Sequence, residues 1–456
     1  MRYQDVLDYL YAPQRIQGQN SIKTGQRAAN APERTLEPMR HALAVMGNPQ
    51  RRFRSVHIAG SKGKGSISAM LASVLDAAGY RVALFTSPHL HSYRERMQIN
   101  RVLPSEADIV ALFEARRALF DAMPELITFE LTTLMAFDYF AREDVEIAVV
   151  EVGLGGRLDS TNVITPEVSV IAALSLEHTA ILGGTIEKIA FEKAGIIKLG
   201  IPAILAPNSP AAEAVVAAIA GERGAPLLRV GADIPYRLGD PTPRGQSFEV
   251  RRWPDGPWQR ETIPLLGEHQ AVNAACAVGA IDILNSRGIP VSDAALTGGL
   301  ADVRWPARLE VLGEAPLVVV DGAHTPDSAA YAVAALRRHL AFDRLILVFG
   351  ALSDKDVGGM LDALLPASSA VILTRSRYPR ALDGDHLAAL AAARGVTPAA
   401  VTPDVPEALA AALALARPQD LVLVTGSLFV AAAAREAWLR GRNLPLPDMD
   451  PPLHTH

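Results

Sequence analysis

Short apolar runs rich in β-branched residues alternate with helical stretches along almost the whole chain. Buried strands are predicted for SVHIAG, RVALFT, IAVVEVG and VSVIAAL, and helices for SISAMLASVLDAAG and TTLMAFDYFARED. Another strand and an Ala-rich helix are expected between about Ile201 and Val230. Strands that alternate with helices build a parallel sheet covered on both faces. The pattern therefore predicts an α/β fold with a doubly wound, mostly parallel sheet.

The alternation is interrupted in the middle of the chain, which indicates two domains. The 456 residues also exceed what one ordinary core accommodates. Residues 231–264 carry Pro, Gly, Trp and Arg in short alternating runs and predict a β-hairpin appendage. The helix HQAVNAACAVGAIDILNSRG then closes the first domain. ADVRWPARLEVLG follows as a crossing linker, because Pro306 disfavours helix at the residue before it.

Beyond the linker the alternation of strands and helices restarts. Four further strands are predicted for PLVVVDGA, LILVFGAL, AVILTRS and DLVLVTGS, each followed by a helical pattern. This predicts a second, smaller, Rossmann-like α/β domain. We place the domains at residues 1–303, which include an N-terminal extension, and 304–440, and we expect the Pro-rich residues 441–456 to be a flexible tail.

The composition is that of a folded, soluble protein, with 49% apolar and 20% charged residues. A formal charge of -5 leaves no broad basic surface for nucleic acid or an anionic membrane. No apolar run approaches the ~20 residues of a membrane span. The N-terminal stretch MRYQDVLDYLYAPQ has acids and tyrosines where a signal peptide needs an apolar core. We therefore expect a cytoplasmic protein without nucleic-acid or membrane partners.

Cys276 is the only cysteine, which excludes an internal disulfide and a cysteine-based zinc site. It lies in the Ala-rich helical pattern AVNAACAVGAID. This setting favours a buried structural thiol over a nucleophile.

Residues 14–34, QRIQGQNSIKTGQRAANAPER, have neither a strand nor a helix period, and their cations outnumber their acids. One interpretation is a surface loop. The other is a lid that orders over an anionic ligand.

The stretch HIAGSKGKGSIS, residues 57–68, resembles a phosphate-binding loop but departs from the pattern G-x-x-x-x-G-K-S/T. Its order of strand, glycine turn and helix lets backbone N–H groups and the helix N-terminus bind phosphate. Lys64 would reach the outer phosphates, and the Ser66 hydroxyl is placed to bind Mg²⁺. The alternative is a glycine-rich turn with two solvated lysines.

Ligand-type side chains follow two further strands of the predicted sheet. Glu151 ends the apolar strand IAVVE, and His178 comes just past the next strand, in LSLEHTAILG. Ligands of open α/β sheets bind at the carboxyl ends of strands, and a carboxylate there suits Mg²⁺. The alternatives are a Glu151 satisfied by N–H groups of the following glycine turn, and a His178 that is an ordinary core or surface residue.

These residues converge on a known family. The chain resembles the Mur ligase superfamily, and within it the folylpolyglutamate synthase/dihydrofolate synthase family. The resemblance runs in order from about His57 to Ala434, through AGSKGKGS, SPHL, ERMQIN, TFELTTLMAF, EVGLGGRLDSTNVI, LEHTAILGGTIEKIAFEKAGIIK, GEHQAVNAACA, PARLEV, DGAHTPDS, ALSDKD and VTGSLFV. The loop spacing G-x-x-G-K-G-S/T is the family's own.

The resemblance implies an ATP-dependent amide ligase. An acceptor carboxylate would attack the γ-phosphate of ATP to give an acyl phosphate, and the amine of L-glutamate would displace phosphate. Because two anions must meet, cations are required at the junction. The acceptors implied are dihydropteroate and reduced folates, since GGRLD resembles the bifunctional bacterial type.

The resemblance also implies roles for individual residues. Catalytic roles would fall to Lys64, His178, Lys193 and His324. ATP contacts would come from Ser61, Lys62, Gly63, Lys64, Gly65, Ser66, Asn273, Arg308 and Asp321. Two Mg²⁺ sites would use Ser66, Ser87, Glu151 and His178, and Lys193 matches a lysine that the family carries as a carbamate. The pterin substrate would contact Thr128, Phe129, Glu130, Arg157, Leu158 and Asp159.

Three positions depart from the family's pattern. Ser61-Lys62 stands where the family usually has Thr-Asn, and Lys62 either adds a cation beside the phosphates or points to solvent. Ala307 replaces the usual glycine before Arg308, which makes the linker turn stiffer. Thr325 replaces the usual asparagine after His324 and removes an amide there.

Three alternatives to the bifunctional ligase stay open. One is a Mur-type ligase with another carboxylate acceptor, and one is a monofunctional folylpolyglutamate synthase. The third is a catalytically silent nucleotide-binding protein. For any of them the family favours a monomer.

Overall fold

The computed structural model describes residues 1–13, 15 and 35–451. Apart from residue 15, the segment 14–34, predicted as a surface loop or a lid, lies outside the described residues.

The described residues form two α/β units and a small antiparallel sheet. The strands are β1 (Arg54–Ala59), β2 (Val82–Phe85), β3 (Met97–Ile99), β4 (Ile147–Glu151), β5 (Val168–Ile171), β6 (Ala203–Leu205), β7 (Leu227–Arg229), β8 (Tyr236–Thr242), β9 (Gly245–Arg251), β10 (Trp258–Ile263), β11 (Glu310–Glu314), β12 (Leu317–Val320), β13 (Leu345–Phe349), β14 (Ala370–Leu373), β15 (Ala400–Val401) and β16 (Leu421–Thr425). The helices are α1 (Tyr3–Leu10), α2 (Glu37–Val45), α3 (Lys64–Ala77), α4 (Glu106–Ala122), α5 (Thr128–Arg142), α6 (Thr179–Leu182), α7 (Ile186–Ala194), α8 (Pro210–Glu222), α9 (Glu268–Ser286), α10 (Asp293–Ala301), α11 (Pro326–His339), α12 (Val357–Leu364), α13 (Gly384–Ala392), α14 (Val405–Leu415) and α15 (Leu428–Gly441).

The first unit is built on a seven-stranded sheet in the order β3-β2-β4-β1-β5-β6-β7. All neighbours are parallel except β2 and β3. One face packs on α3, α9 and α10, and the other on α1, α2, α4 and α5. Burial on both faces explains why the central strands are continuous apolar runs. The predicted doubly wound, mostly parallel sheet is confirmed.

Two edge strands of this sheet, β3 and β7, were not predicted. Each is only three residues long, which is too short for a periodic pattern. Helix α10 also follows α9, so the predicted closing helix is not the last helix of this unit.

The predicted β-hairpin appendage is wrong by one strand. Residues 236–263 form a three-stranded antiparallel sheet in the order β10-β9-β8. The turn between β9 and β10 carries Pro254 and Gly256, and it folds the chain back a second time.

The second unit is a six-stranded sheet in the order β11-β12-β16-β13-β14-β15, parallel except for the β11–β12 pair. All four predicted strands are present. Strand β11 corrects the prediction of the linker, because it lies inside the stretch predicted to be one. Its backbone pairs with β12, opposite Val320 and Leu317, so pairing with a neighbour decides its structure.

Cys276 is free and fully buried in α9, and burial raises the pKa of its thiol to about 12. The prediction of a structural thiol is confirmed. No helix in the described part of the chain is long and apolar enough to cross a membrane.

Part of the segment predicted as a flexible tail contacts the first unit. The Asp450 carboxylate accepts hydrogen bonds from Tyr3 Oη at 2.7 Å, Ser92 Oγ at 2.8 Å and the backbone N–H of Tyr93 at 2.6 Å. The tail is therefore held against the first unit as far as Asp450, which the sequence did not indicate.

Candidate active site

The glycine loop follows the central strand β1 and leads directly into α3, as the sequence predicts. The backbone N–H groups of Ser61 and Lys62 donate to the carbonyl of Ala173 at 2.8 and 3.0 Å. Ser61 Oγ donates to the carbonyl of Ser175 at 3.1 Å. The loop is thus fastened to the segment that follows β5, and its glycines lie at the N-terminus of a 14-residue helix.

Two loop positions require glycine. Gly63 has a φ of 85°, in the left-handed region, and a Cβ there would collide with Oδ1 of Asn273. A Cβ at Gly65 would lie 2.8 Å from the ring of Trp305. Helix α9 and the linker therefore both pack on the loop. Asn273 was predicted at this site, whereas Trp305 was missed.

Replacing Gly63 with alanine should destabilise the loop. The left-handed backbone and the collision with Asn273 together are expected to lower the free energy of unfolding by about 2 kcal/mol. ATP binding is expected to weaken at least about tenfold, because the loop N–H groups would shift. Thermal denaturation and calorimetric ATP titration measure both effects.

Gly298→Ala, in α10, is the matched control for the Gly63 variant. No atom lies within 4 Å of the added Cβ, and the helix should gain roughly 0.5–1 kcal/mol. Equal behaviour of the two variants would contradict the role given to Gly63.

Two lysines meet at one carbonyl of the loop. Lys64 Nζ donates to Gly60 O at 3.0 Å and Lys193 Nζ to the same oxygen at 2.8 Å. Lys193 is 2% exposed, and its Nζ also lies 2.8 Å from Glu177 Oε1. Glu177 was missed, although it adjoins His178 in a strand-end segment that the sequence singled out.

The charges at this point shift one another strongly. Burial, joined by the charges of Lys64 and Lys62, lowers the pKa of Lys193 to about 8 against the opposing effect of Glu177. Burial alone would raise the pKa of Glu177, but Lys193, Lys64 and Lys62 together lower it to about 2. Glu177 is therefore a firmly ionised carboxylate in a cluster of cations.

Glu151, at the end of β4, is 5% exposed, and its Oε2 accepts a hydrogen bond from the backbone N–H of Ser87 at 3.2 Å. The donor lies beyond β2, not in the glycine turn that follows Glu151. Within the described residues Oε1 has no hydrogen-bond donor, and burial raises the pKa of the group against the charges of Lys64 and Arg308. A buried carboxylate with a free oxygen calls for a cation.

His178 begins the short helix α6 with a φ of 48°. Burial lowers the pKa of its imidazole to about 4; the charge of Glu177 opposes this shift, and the charges of Lys355, Lys193 and Lys64 add to it. The ring is therefore neutral at pH 7 and has a nitrogen lone pair available to a cation.

The donor set fits Mg²⁺ in one of its usual forms. Among the described residues, no three His, Cys, Asp or Glu side chains form a ready-made metal cluster. Mg²⁺ is commonly held by one or two carboxylates, hydroxyls and substrate phosphates rather than by such a cluster. The carboxylate of Glu151 and the hydroxyl groups of Ser66 and Ser87 are oxygen donors of this kind.

The second unit supplies the other wall of the cleft. Both Asp321 oxygens accept backbone hydrogen bonds, from Leu309 at 2.9 Å and Ala323 at 2.8 Å, so in this structure Asp321 holds the linker. Arg308 acts electrostatically on Asp321 and on Glu151, which lies in the first unit. The structure thus brings Arg308 within electrostatic reach of Glu151, while Asp321 fixes the linker that carries Arg308.

His324 and Lys355 lie on the same wall. The His324 Nδ1 faces Gly322 O at 2.9 Å. Burial, together with Lys62, Lys355 and Arg308, lowers the pKa of His324 to about 4, although its contact with Gly322 opposes this. The charge of Lys355 also acts on His178. Lys355 was not predicted, because only the packing of two separate strand ends places it here.

Two of the departures from the family's pattern have structural consequences. Ala307 has a φ of 55°, where glycine is the unstrained residue. Thr325 caps α11, and its Oγ1 accepts from the backbone N–H of Ser328 at 3.3 Å. The threonine hydroxyl therefore replaces a capping amide without loss of the cap.

The residues predicted to contact pterin form two groups that pack together. At the start of α5, Thr128 Oγ1 donates to Leu10 O at 2.7 Å and Glu130 Oε2 accepts from Ile127 N at 3.0 Å. Phe129 is buried, and its ring leaves room only for glycine at position 153.

The second group lies in the glycine turn after β4. Arg157 pairs with Glu192 at 2.8 Å, and Asp159 Oδ2 accepts from Leu154 N at 2.8 Å. Leu158 is half-buried. Phe129 and Gly153 bring the two groups together, while Thr128 and Asp159 already have intramolecular partners.

A cavity of about 1150 Å³ lies between the linker, the three-stranded sheet and the second unit. Trp305 and Arg308 line it, and Trp305 also packs on the glycine loop. The linker residue Trp305 therefore contacts both this cavity and the glycine loop.

Comparisons with known proteins identify related families and structures. The Mur ligase middle domain family matches residues 58–281, and the Mur ligase, glutamate ligase domain family matches residues 307–428. Folylpolyglutamate synthase of Lacticaseibacillus casei is 36% identical over 451 residues, which cover 97% of this chain and 100% of that protein. Dihydrofolate synthase/folylpolyglutamate synthase of Bacillus subtilis is 36% identical over 350 residues, covering 75% and 81%.

A probable bifunctional folylpolyglutamate synthase/dihydropteroate synthase of Halobacterium salinarum is 40% identical over 406 residues, covering 87% of this chain. The chain spans about half the length of that relative, 49%. Among solved structures, Mycobacterium tuberculosis folylpolyglutamate synthase complexed with ADP and AMPPCP is similar, with a TM-score of 0.81 and 32% identity, covering 93% of this chain and 98% of that one.

Proposed function

Because the chain belongs to the folylpolyglutamate synthase/dihydrofolate synthase family of Mur ligases, we propose that it is an ATP-dependent ligase that joins L-glutamate to dihydropteroate and to reduced folates. The observation that carries this proposal is the convergence of cations from both units on one glycine loop. Lys62 and Lys64 come from the first unit, and Arg308 and Lys355 from the second.

The reaction explains why so many cations are needed. The acceptor carboxylate attacks the γ-phosphorus of ATP, and the bond between that phosphorus and the β,γ-bridging oxygen breaks. ADP departs, and the acceptor is left as an acyl phosphate. The amine of L-glutamate then attacks the acyl carbon, and phosphate departs as the amide forms. Both steps bring anions together, and preorganised cations lower the barrier by stabilising the charge that gathers there.

Individual residues take the following proposed roles. The loop N–H groups of residues 63–66 and the Lys64 ammonium bind the phosphates, since the N–H groups of Ser61 and Lys62 already donate to Ala173 O. Asn273, Arg308 and Asp321 bind the adenosine. Bound at two sites formed by Ser66, Ser87, Glu151 and His178, Mg²⁺ would neutralise phosphate charge. His324 would contact phosphate or glutamate, and the pterin would lie against Thr128, Phe129, Glu130, Arg157, Leu158 and Asp159.

A two-acceptor assay tests the proposal. Purified protein with ATP, Mg²⁺, L-glutamate and either dihydropteroate or tetrahydrofolate should release ADP and phosphate and form the amide. Turnover with tetrahydrofolate alone would make the enzyme monofunctional. No turnover with either acceptor, under conditions in which a control ligase works, would contradict the proposal, and a panel of other carboxylic acids would then identify a different Mur-type activity.

We also propose that the working enzyme is a cytoplasmic monomer with no nucleic-acid or membrane partner. In this enzyme Lys193 is carbamylated. The neutral amine adds to CO₂ with loss of a proton, and a pKa of about 8 leaves roughly a tenth of the amine neutral at pH 7. The carbamate would be an anion beside Glu177, able to hold the second Mg²⁺.

Native mass spectrometry tests both statements. A single chain of 48.6 kDa carrying one added CO₂ is expected, and Lys193→Met should carry none. Full activity in CO₂-free buffer would contradict the carbamate, and a dimer mass would contradict the monomer.

A further inference from the structure

The choice of basic residues in this chain is uneven. Of its 44 basic residues only seven are lysines: Lys23, Lys62, Lys64, Lys188, Lys193, Lys198 and Lys355. Lys23 lies outside the described residues, and four of the other six surround the cleft. Lysine differs from arginine in being a compact, strongly hydrated primary ammonium. Most basic residues of this chain are therefore arginines, whereas the basic residues around the cleft include most of the lysines. This makes Lys62 a candidate for a ligand-binding role.

Lys62 is anchored by its backbone and points into the cleft. Its N–H bonds to Ala173 O at 3.0 Å, and its side chain is half-buried. Burial lowers the pKa of its ammonium, and charges from both units act on it, those of Glu177 and Lys64 from one side and those of Asp327 and Lys355 from the other. A side chain directed to bulk solvent would not sit among charges of both walls.

Asp327 lies opposite, in the first turn of α11, just beyond His324. It is exposed, and within the described residues it makes neither an ion pair nor a hydrogen bond through its carboxylate. His324 beside it is neutral at pH 7 and so offers it no charge. The cleft between the two units therefore has a carboxylate, available to a ligand, whose charge acts on the Lys62 ammonium.

The presence of both a cation and an anion in the cleft distinguishes between two possible anionic ligands, a triphosphate and an acidic amino acid. A triphosphate has no positive group, and an unpaired carboxylate would repel it. An α-amino acid with an acidic side chain has two carboxylates and one ammonium, which matches a lysine facing an aspartate. The phosphates, in addition, already have Lys64 and the N-terminus of α3.

We propose that Lys62 and Asp327 bind the incoming amino acid, with Lys62 contacting a carboxylate and Asp327 the ammonium, so that the phosphate loop itself takes part in selecting L-glutamate. This proposal rests on the proposed ligase function. It makes Lys62 and Asp327 specificity residues, distinct from the phosphate-binding Lys64 two positions along the loop.

Three variants test the pair: Lys62→Gln, Lys62→Arg and Asp327→Asn. Lys62→Gln should raise the KM for L-glutamate about tenfold, the typical effect of one charge-assisted hydrogen bond, and leave the Kd for ATP within about twofold. Lys62→Arg, which keeps the charge, should recover part of the loss. Lys188→Gln, at an exposed lysine outside the cleft, is the matched control and should change neither constant.

Direct binding keeps the test independent of turnover. L-Glutamate and glutarate, which lacks the ammonium, are titrated into protein saturated with a non-hydrolysable ATP analogue. Lys62→Gln should weaken both ligands, whereas Asp327→Asn should weaken L-glutamate alone. If wild-type protein binds L-glutamate in this way but fails in the two-acceptor assay, the proposed function is wrong and the pair stands.

Two results would overturn the inference. Weaker ATP binding in Lys62→Gln with L-glutamate unaffected would assign Lys62 to the phosphates. Unchanged constants for both ligands in all three variants would leave Lys62 and Asp327 as solvated side chains.

Discussion

Lys64→Ala is expected to lower turnover about 10³-fold while the protein stays folded, because one preorganised cation at a developing charge contributes on that scale. Within the described part of the chain the ammonium makes one hydrogen bond, to Gly60 O, and the side chain is only half-buried at the first position of α3. Its loss therefore removes charge from the phosphate site without opening a cavity in the core. Steady-state kinetics with ATP, L-glutamate and the active acceptor measures the effect.

Two comparisons make the Lys64 result specific. Lys188→Ala should retain activity, since Lys188 is exposed and lies outside the cleft. The melting temperature of Lys64→Ala should stay within a few degrees of wild type. Retained turnover in Lys64→Ala would mean that the loop does not bind the phosphates.

Glu177→Gln is expected to lower the free energy of unfolding by about 3 kcal/mol in CO₂-free buffer, because it leaves the buried Lys193 ammonium without its partner. The pair is 2.8 Å apart, with side-chain exposures of 2% and 14%. The variant should also be inactive, since the charge balance of the loop changes. Urea denaturation monitored by circular dichroism gives the stability difference.

The double variant Glu177→Gln/Lys193→Met separates stability from function. Removing both charges should restore most of the stability and none of the activity. Glu37→Gln, in the exposed pair with Arg40, is the matched control and should cost less than about 1 kcal/mol. A loss in Glu177→Gln no larger than in this control would contradict the buried pair.

The pH dependence of this difference has a definite sign. The folded-state pKa of Glu177 is about 2, below its ordinary value of 4.5. A carboxylate with a lowered pKa contributes stability that is complete above the unfolded pKa and is lost as pH falls through the folded one. The gap between wild type and Glu177→Gln should therefore shrink as pH falls from about 4.5 toward 2. It should also shrink as pH rises through about 8, where Lys193 loses its proton and the ion pair is lost.

The sequence predicted the elements that local pattern decides. Strands such as β1 and β13 are apolar on both faces and long enough to be recognised, and the glycine loop has a spacing of its own. Strands β3, β7 and β11 are short or lie at sheet edges, so that only pairing with a neighbour forms them.

The site was predictable in so far as its residues lie in motifs. Lys64, Lys193, Glu151 and Asn273 all lie at or beside the loop as expected. Lys355 and Asp327 lie in the motifs ALSDKD and DGAHTPDS, but nothing in the sequence singled them out within these motifs. Trp305 lies outside the motifs, and only its packing on the glycine loop places it at the site. Glu177 is an intermediate case, since its neighbour His178 was identified, but the partner Lys193 is 16 residues away.

Transfer of an oxygen atom tests the central claim most directly. The acceptor is prepared with ¹⁸O in its carboxylate and incubated with enzyme, ATP, Mg²⁺ and L-glutamate, and the released phosphate is analysed by mass spectrometry. Attack of that carboxylate on the γ-phosphorus predicts one ¹⁸O in each phosphate formed together with the amide. Amide formation accompanied by unlabelled phosphate would contradict the acyl-phosphate route and the ligase mechanism proposed for this cleft.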